Sequence, residues 1–501
     1  MGALAARSPR PKRLGVGPVL VLALVAAVPA IGLRSLSAWA DDRAPGDVAP
    51  VPIPVVDPPP PPDPLVEPVA SLRRLPGAIS RDLNVERFTE QAVGFLSSLN
   101  DRSCASISVD GVPIGGRGAD AAVLPASTQK LVVAAVALEV LGAERTLRTT
   151  ALAAAAPSGG ALAGDLVLVG GGDPLLTSAW YPVSDIETRP VTDATSFDDL
   201  ADSVVAAGVE RIEGSVLGDG ARYDDEYFAP GWGTGVAGLE AGPYDALMAN
   251  DSRVLGEATK ADDPVVGAAR EFTRLLRERG VEVVGEPGSV VGAELPAVEI
   301  ASIDSAPLTD VVAEMLTNSD NNTAEMLVKE IAVATDPEAA ATSSRTVGLA
   351  AMSEQLDRWG IDTTEVVLAD GSGLALDGRL TCDALLELLV RADVDGPIGV
   401  GLPVAGETGT LSDVFGDGPV AGRLRAKTGT LNNPPFNQDP PAVKALAGYL
   451  PVEGGGAIEF ALVLNGPTIS DQSEYRPVWD AFVELLAGYP SGPTPAELGP
   501  R

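Results

Sequence analysis

The run LVVAAVALEV at residues 131–140 has no polar stripe. A helix that is apolar all round has no face to offer water, so other elements must cover it on every side. Such a helix demands a domain wrapped around it. A chain of 501 residues is long enough for that and for two or three domains in all. Hydrophobic residues at 45% and charged residues at 21% fit a folded protein.

Directly before the run stands PASTQK, residues 125–130. With a helix starting between Pro125 and Ser127, Ser127 and Lys130 lie one turn apart on the same face. Free N–H groups and the helix dipole favour negative charge developing at the serine. Burial disfavours the lysine's ammonium and lowers its pKa, which makes it a base near neutral pH. Alone, S-x-x-K is a weak signal, because an N-capping serine beside a snorkelling lysine reads the same.

Composition narrows the chemistry. The chain has no histidine, which excludes His-based triads and His-metal sites. A general base near neutral pH must then be a carboxylate or a lysine of lowered pKa. Lysine is scarce: only six of the 35 basic residues are lysine. The formal net charge of −34 argues against a nucleic-acid partner, since it repels phosphate. Cys104 and Cys382 are too few for a metal cluster; one disulfide and two separate buried thiols fit the sequence equally. No metal or cofactor is expected.

Two more short motifs carry polar groups. TNSDNN at 317–322 places Ser319, Asp320 and Asn321 before an amphipathic helix, where capping alone would account for them. LRAKTGTL at 424–431 is a β-type segment. In it Lys427, Thr428 and Thr430 can receive a carboxylate, and Gly429 lets a ligand backbone approach. In this order S-x-x-K, S-D-N and K-T-G form the motif set of penicillin-binding proteins and class A β-lactamases, and the combination outweighs the separate bland readings.

With these motifs the sequence resembles the D-alanyl-D-alanine carboxypeptidase/endopeptidase family of low-molecular-weight penicillin-binding proteins, the class C or S13 serine peptidases. The resemblance spans about residues 85–485 and includes GGGDPLL (170–176), GSVLGDGARYDD (214–225), LADGSGLAL (368–376), GETGTL (406–411) and ALAGYL (445–450). It implies Ser127 as nucleophile, Lys130 as its base, Ser319 as proton relay to the leaving amine with help from Lys427, and Asn321 as the residue orienting Lys130 and the peptide. It further implies that Lys427, Thr428 and Thr430 bind the terminal carboxylate, and that the backbone N–H groups of Ser127 and Thr430 form an oxyanion hole. The implied partners are peptidoglycan peptides ending in D-Ala-D-Ala and β-lactam antibiotics as covalent inhibitors. Two stretches depart from the family: NNPPFNQDPP after KTGTL lengthens a hairpin beside the groove, and GTLSDVFGDGP lacks the basic residue often found there. A β-lactamase or related serine esterase shares the first chemical step, but no water-activating carboxylate can be placed by spacing. An inactive cell-wall-binding protein of the same fold is disfavoured, because every reactive group is present.

The expected fold is α+β: a serine β-lactamase/transpeptidase-like domain built from both ends of the chain, with a β-rich domain inserted in the middle. Ser127 and Ser319 lie 192 residues apart, which leaves room for the insertion. The boundaries read as an export signal or anchor at 1–40, a Pro-rich linker at 41–84, the catalytic domain at 85–146 and 296–488, the insertion at 147–295, and a tail at 489–501. The uncharged span Leu14–Leu33 follows Arg7, Arg10, Lys12 and Arg13 and is just long enough to cross a bacterial membrane. A single N-terminal anchor with an extracytoplasmic catalytic domain is therefore expected, with AWA at 38–40 as a cleavage site in the alternative, secreted form.

Overall fold

The run after Lys130 does form the helix that its composition demands. The computed structural model describes residues 75–184, 191–233, 235–290, 294–432, 441–453 and 455–499. The N-terminal span, most of the Pro-rich stretch and residues 433–440 of the hairpin extension lie outside them. The first described helix, α1 (Leu75–Ser98), starts ten residues before the expected boundary at 85. Its first turns are pinned by packing near the C-terminal end: Ser80 Oγ donates to Pro493 O at 2.6 Å.

The main sheet draws on both ends of the chain. A hairpin of β1 (Cys104–Val109) and β2 (Val112–Arg117) comes from the N-terminal side. A later β8 (Arg425–Leu431), β9 (Ala442–Pro451) and β10 (Ala457–Gly466) complete it, in the order β8-β9-β10-β1-β2. Every residue of β10 is buried, as expected of a strand covered on both faces. One face packs against α1 and a closing helix, α9 (Gln472–Ala487), through Phe88, Phe460 and Phe482. On the other face lies the helical layer around α2 (Lys130–Leu141).

Helix α2 is buried over its first two turns and opens to water only near Glu139. It is covered by α5 (Leu308–Asn318), α6 (Asn321–Thr335), α7 (Pro337–Trp359) and α8 (Cys382–Ala392). Cys104 and Cys382 form a disulfide with Cα atoms 5.9 Å apart, tying β1 to the start of α8. This settles the choice that the sequence left open.

Between α2 and α5 the chain builds a second five-stranded sheet. It contains β3 (Arg148–Ala153), β4 (Leu166–Val169), β5 (Val216–Asp219), β6 (Gly288–Ser289) and β7 (Val298–Asp304), in the order β6-β5-β4-β3-β7. Helices α3 (Phe197–Ala206) and α4 (Pro264–Glu278) pack on it, with Phe197 and Phe272 at 4.8 Å between ring centroids. Strand β7 pairs antiparallel with β3, so the sheet runs to Asp304, beyond the expected limit of 295. Ion pairs fasten this segment to α6: Arg222 to Glu330 and Lys329 to Asp224.

Candidate active site

The nucleophile candidate sits at a strained corner. Ala126, just before Ser127, has φ of 49°. In that left-handed region a residue with a Cβ costs about 1–2 kcal/mol. Residues Ala126–Gln129 form a 3-10 turn that runs straight into α2, so Ser127 lies in the turn and Lys130 opens the helix. A second turn, Asp370–Ala375, presses against this corner. Gly373, at φ of 80°, has no Cβ because one would collide with Ala126 O.

Lys130 is fully buried. Its Nζ lies 3.0 Å from Ser127 Oγ, 2.7 Å from Asn321 Oδ1 and 2.8 Å from Ser372 O. Asn321 Nδ2 donates to Glu240 O at 2.8 Å, which turns the amide oxygen to the lysine. Two of the three partners can only accept, while the serine hydroxyl can donate. A neutral amine with two N–H groups and one lone pair satisfies all three. Burial lowers the Lys130 pKa to about 8, against the opposing charges of Asp370, Asp320 and Glu325. Local spacing thus brought Ser127 and Lys130 together as predicted, and folding supplied Asn321.

The S-D-N triplet divides its labour. Asp320 is a helix cap, accepting from Thr323 N at 2.5 Å at the start of α6. Ser319 closes α5 in a left-handed conformation, with φ of 65°. Lys427, fully buried on β8, donates to Ser319 Oγ at 2.8 Å and to Thr428 O at 2.9 Å. Its ammonium therefore faces the S-D-N turn. Thr428 Oγ1 lies 2.8 Å from Thr410 Oγ1 of the GETGTL stretch.

Gly429 has a packing role beyond the ligand approach expected of it. The glycine is buried, and a Cβ would stand 3.0 Å from Pro125 O and 3.2 Å from Ala126 Cβ. Its missing side chain lets β8 approach the backbone ahead of Ser127. Thr428 and Thr430 stand on the other face of the strand and line the same cavity as Ser127.

Ser127, Ser319, Asn321, Thr428 and Thr430 all line one cavity of about 590 Å³. Its wall also holds Arg253, Lys444, Tyr475 and Trp479, which no motif marked. The turn at Asp370–Ala375 was visible only as the stretch LADGSGLAL. There the Asp370 carboxylate accepts from the N–H groups of Gly373, Leu374 and Ala375, while Glu325 accepts from Gly371 and Ser372. These bonds aim Ser372 O at Lys130. Burial, then the charge of Asp370, pushes the Glu325 carboxyl up. Among the described residues no cluster of carboxylates or cysteines is placed to hold a metal ion.

A family model described as the D-Ala-D-Ala carboxypeptidase 3 (S13) family matches residues 107–262 and 245–489. The carboxypeptidase DacB of Mycolicibacterium smegmatis is 31% identical over 482 residues, covering 92% of this chain and 94% of its own. A D-alanyl-D-alanine carboxypeptidase of Actinomadura is 30% identical over 429 residues, covering 68% and 73%. The crystal structure of penicillin-binding protein 4 of Haemophilus influenzae superposes with a TM-score of 0.61 at 21% identity, covering 80% of this chain and 99% of that one.

Proposed function

The chain belongs to the D-Ala-D-Ala carboxypeptidase 3 (S13) family, and on that premise we propose how its site removes the terminal D-alanine from peptidoglycan stem peptides. The observation that carries the reading is Lys130 Nζ, buried and 3.0 Å from Ser127 Oγ, with Ser319, which accepts from the buried Lys427, lining the same cleft as Ser127. Neutral Lys130 takes the proton of Ser127 as Oγ attacks the carbonyl carbon of the penultimate D-alanine. The oxyanion is met by the backbone N–H groups of Ser127 and Thr430. The C–N bond breaks, Ser319 passes a proton to the departing amine and is resupplied by Lys427, and water then hydrolyses the acyl-serine. An endopeptidase cut is the same sequence with a longer amine as leaving group. β-Lactams present a strained amide to the same serine and remain attached as the acyl-enzyme.

The N-terminal span supports a bacterial membrane anchor, with release after AWA as the alternative. The disulfide Cys104–Cys382 fits an oxidising, extracytoplasmic compartment. Among the described residues no helix is long and apolar enough to cross a membrane, so the anchor would lie in the first forty residues.

Incubation with a peptide ending in D-Ala-D-Ala should release free D-alanine. Labelled penicillin should add one adduct at Ser127, read by intact mass and peptide mapping. An adduct elsewhere, or no D-alanine, overturns the reading. Sequencing of the mature N-terminus decides between the anchored form and a released chain that starts at Asp41.

A further inference from the structure

In the site as folded, the motif lysine that sequence reasoning placed on the substrate carboxylate is occupied elsewhere. Lys427 is buried and turned to Ser319 Oγ and Thr428 O. A terminal carboxylate resting on the hydroxyls of β8 needs a positive charge from another side chain.

The neighbouring strand provides one. Thr430 and Lys444 are directly opposed in the β8–β9 ladder, so their side chains stand on the same face. Both line the catalytic cavity, and Lys444 Nζ donates to Thr430 Oγ1 at 2.9 Å. That bond leaves the Thr430 hydroxyl hydrogen as a free donor. The ammonium is held 4.4 Å from the centroid of the Tyr475 ring and 5.9 Å from that of Trp479, and both rings also line the cavity. Cation–π contacts of this kind fix a lysine head without neutralising it. Among the described residues no carboxylate lies within ion-pair distance of Lys444. Burial, and next the charge of Arg476, lowers its pKa.

We propose that Lys444, acting with the Thr430 hydroxyl, is the cationic seat for the free C-terminal carboxylate of the substrate and so sets the preference for chain ends. This rests on the carboxypeptidase reading above. The seat lies three residues along β8 from Lys427, on the side of the strand that carries the exposed threonine. A carboxylate there would be held by one N–H and one O–H donor, the first of them charged. A cross-linked or amidated end brings no charge to be met. Lys444 thus discriminates between substrates, whereas Lys130 and Lys427 serve any of them.

The test compares an N-acetylated tripeptide ending in D-Ala-D-Ala with its C-terminal amide. In Lys444→Met the ratio of kcat/KM for acid over amide should fall ten- to a hundredfold, mainly through KM, as for lost ground-state binding. Lys444→Arg should restore the ratio to within about threefold of the wild type. Lys444→Gln, which can still bond Thr430 without a charge, should behave as the methionine variant does, and it carries the test if that variant does not fold. An unchanged ratio in Lys444→Gln, or equal losses on acid and amide, overturns the assignment. A wild-type protein that cleaves neither peptide and takes up no penicillin instead overturns the underlying function, a separate outcome.

Discussion

Two of the completely buried lysines lie on helices that pack against each other, in two regions of the molecule that put them to opposite uses. Lys329 of α6 lies 2.7 Å from Asp224 Oδ1, donates to Glu226 O at 2.7 Å, and sits between the rings of Tyr223 and Tyr244. Lys130 of α2 has only neutral groups within hydrogen-bond distance: a hydroxyl, an amide oxygen and a main-chain carbonyl. Burial alone would raise the Asp224 pKa, but the hydrogen bond and charge of Lys329 hold it below the usual value. Around Lys130 the carboxylates Asp370, Asp320 and Glu325 act from further out and do not offset burial. The difference teaches that burial by itself does not make a base. A buried lysine with a carboxylate in contact is a structural tie; one ringed by neutral acceptors can give up its proton.

The comparison breaks most sharply at Lys130. Lys130→Met keeps the length and removes the one side chain that, among the described residues, hydrogen-bonds Ser127 Oγ. Acylation by peptide or penicillin should fall at least the roughly 10²–10⁴-fold typical of a lost general base. Because the variant also removes a poorly solvated ammonium, thermal unfolding should occur no lower than in the wild type. Near-normal acylation would refute the role of base. Lys329→Met should do the reverse. It leaves Asp224, which still accepts from Ser344, without its cation and should cost about 1–3 kcal/mol of stability, seen as a lowered Tm. The molecules that remain folded should still bind penicillin at Ser127. A variant with unchanged Tm would mean that the ion pair is not the tie described.

The smallest effect sharpens the contrast through pH. Lys130 must be neutral to accept a proton, and a pKa of about 8 lets it lose its own as the pH rises through that value. Between pH 7 and 9 the neutral fraction climbs from about one tenth to nine tenths, so the acylation rate should rise roughly tenfold. Below pH 7 it should keep falling. Stopped-flow acylation rates over this range would show it, and a flat profile would tell against Lys130 as base.

Where chemistry depends on local spacing, the sequence was readable. Ser127 and Lys130 are three residues apart, so one helical turn joins them whatever the rest of the chain does. The apolar run 131–140 and the β-type segment LRAKTGTL were legible through their composition and pattern. The missing parts were non-local. Lys444 is an unremarkable strand residue until the β8–β9 pairing sets it beside Thr430. Ser372 serves through its carbonyl, which no side-chain pattern reports. The packing at Gly429 was hidden too, because nothing in RAKTGTL says that the backbone at Pro125 and Ala126 will come so close. The helix from Leu75 begins ahead of the boundary read at 85, because a Pro-rich stretch ends next to it and its first turns are secured by residues near 493.

By itself the sequence determined the chemical vocabulary of this protein. Without histidine and with few lysines, a serine one turn from a lysine leaves little else for a nucleophile and base. The order of the three motifs points to the α+β fold that carries them. Only the tertiary structure decided what each group does with its neighbours. It joined Cys104 to Cys382 across 278 residues, turned Asn321 to Lys130, and engaged Lys427 with Ser319, leaving Lys444 without a carboxylate among the described residues. The physical reason is range. Helical spacing acts over three or four residues and is written in the chain, whereas desolvation, ion pairing and hydrogen-bond partners depend on atoms that only folding brings within a few ångströms.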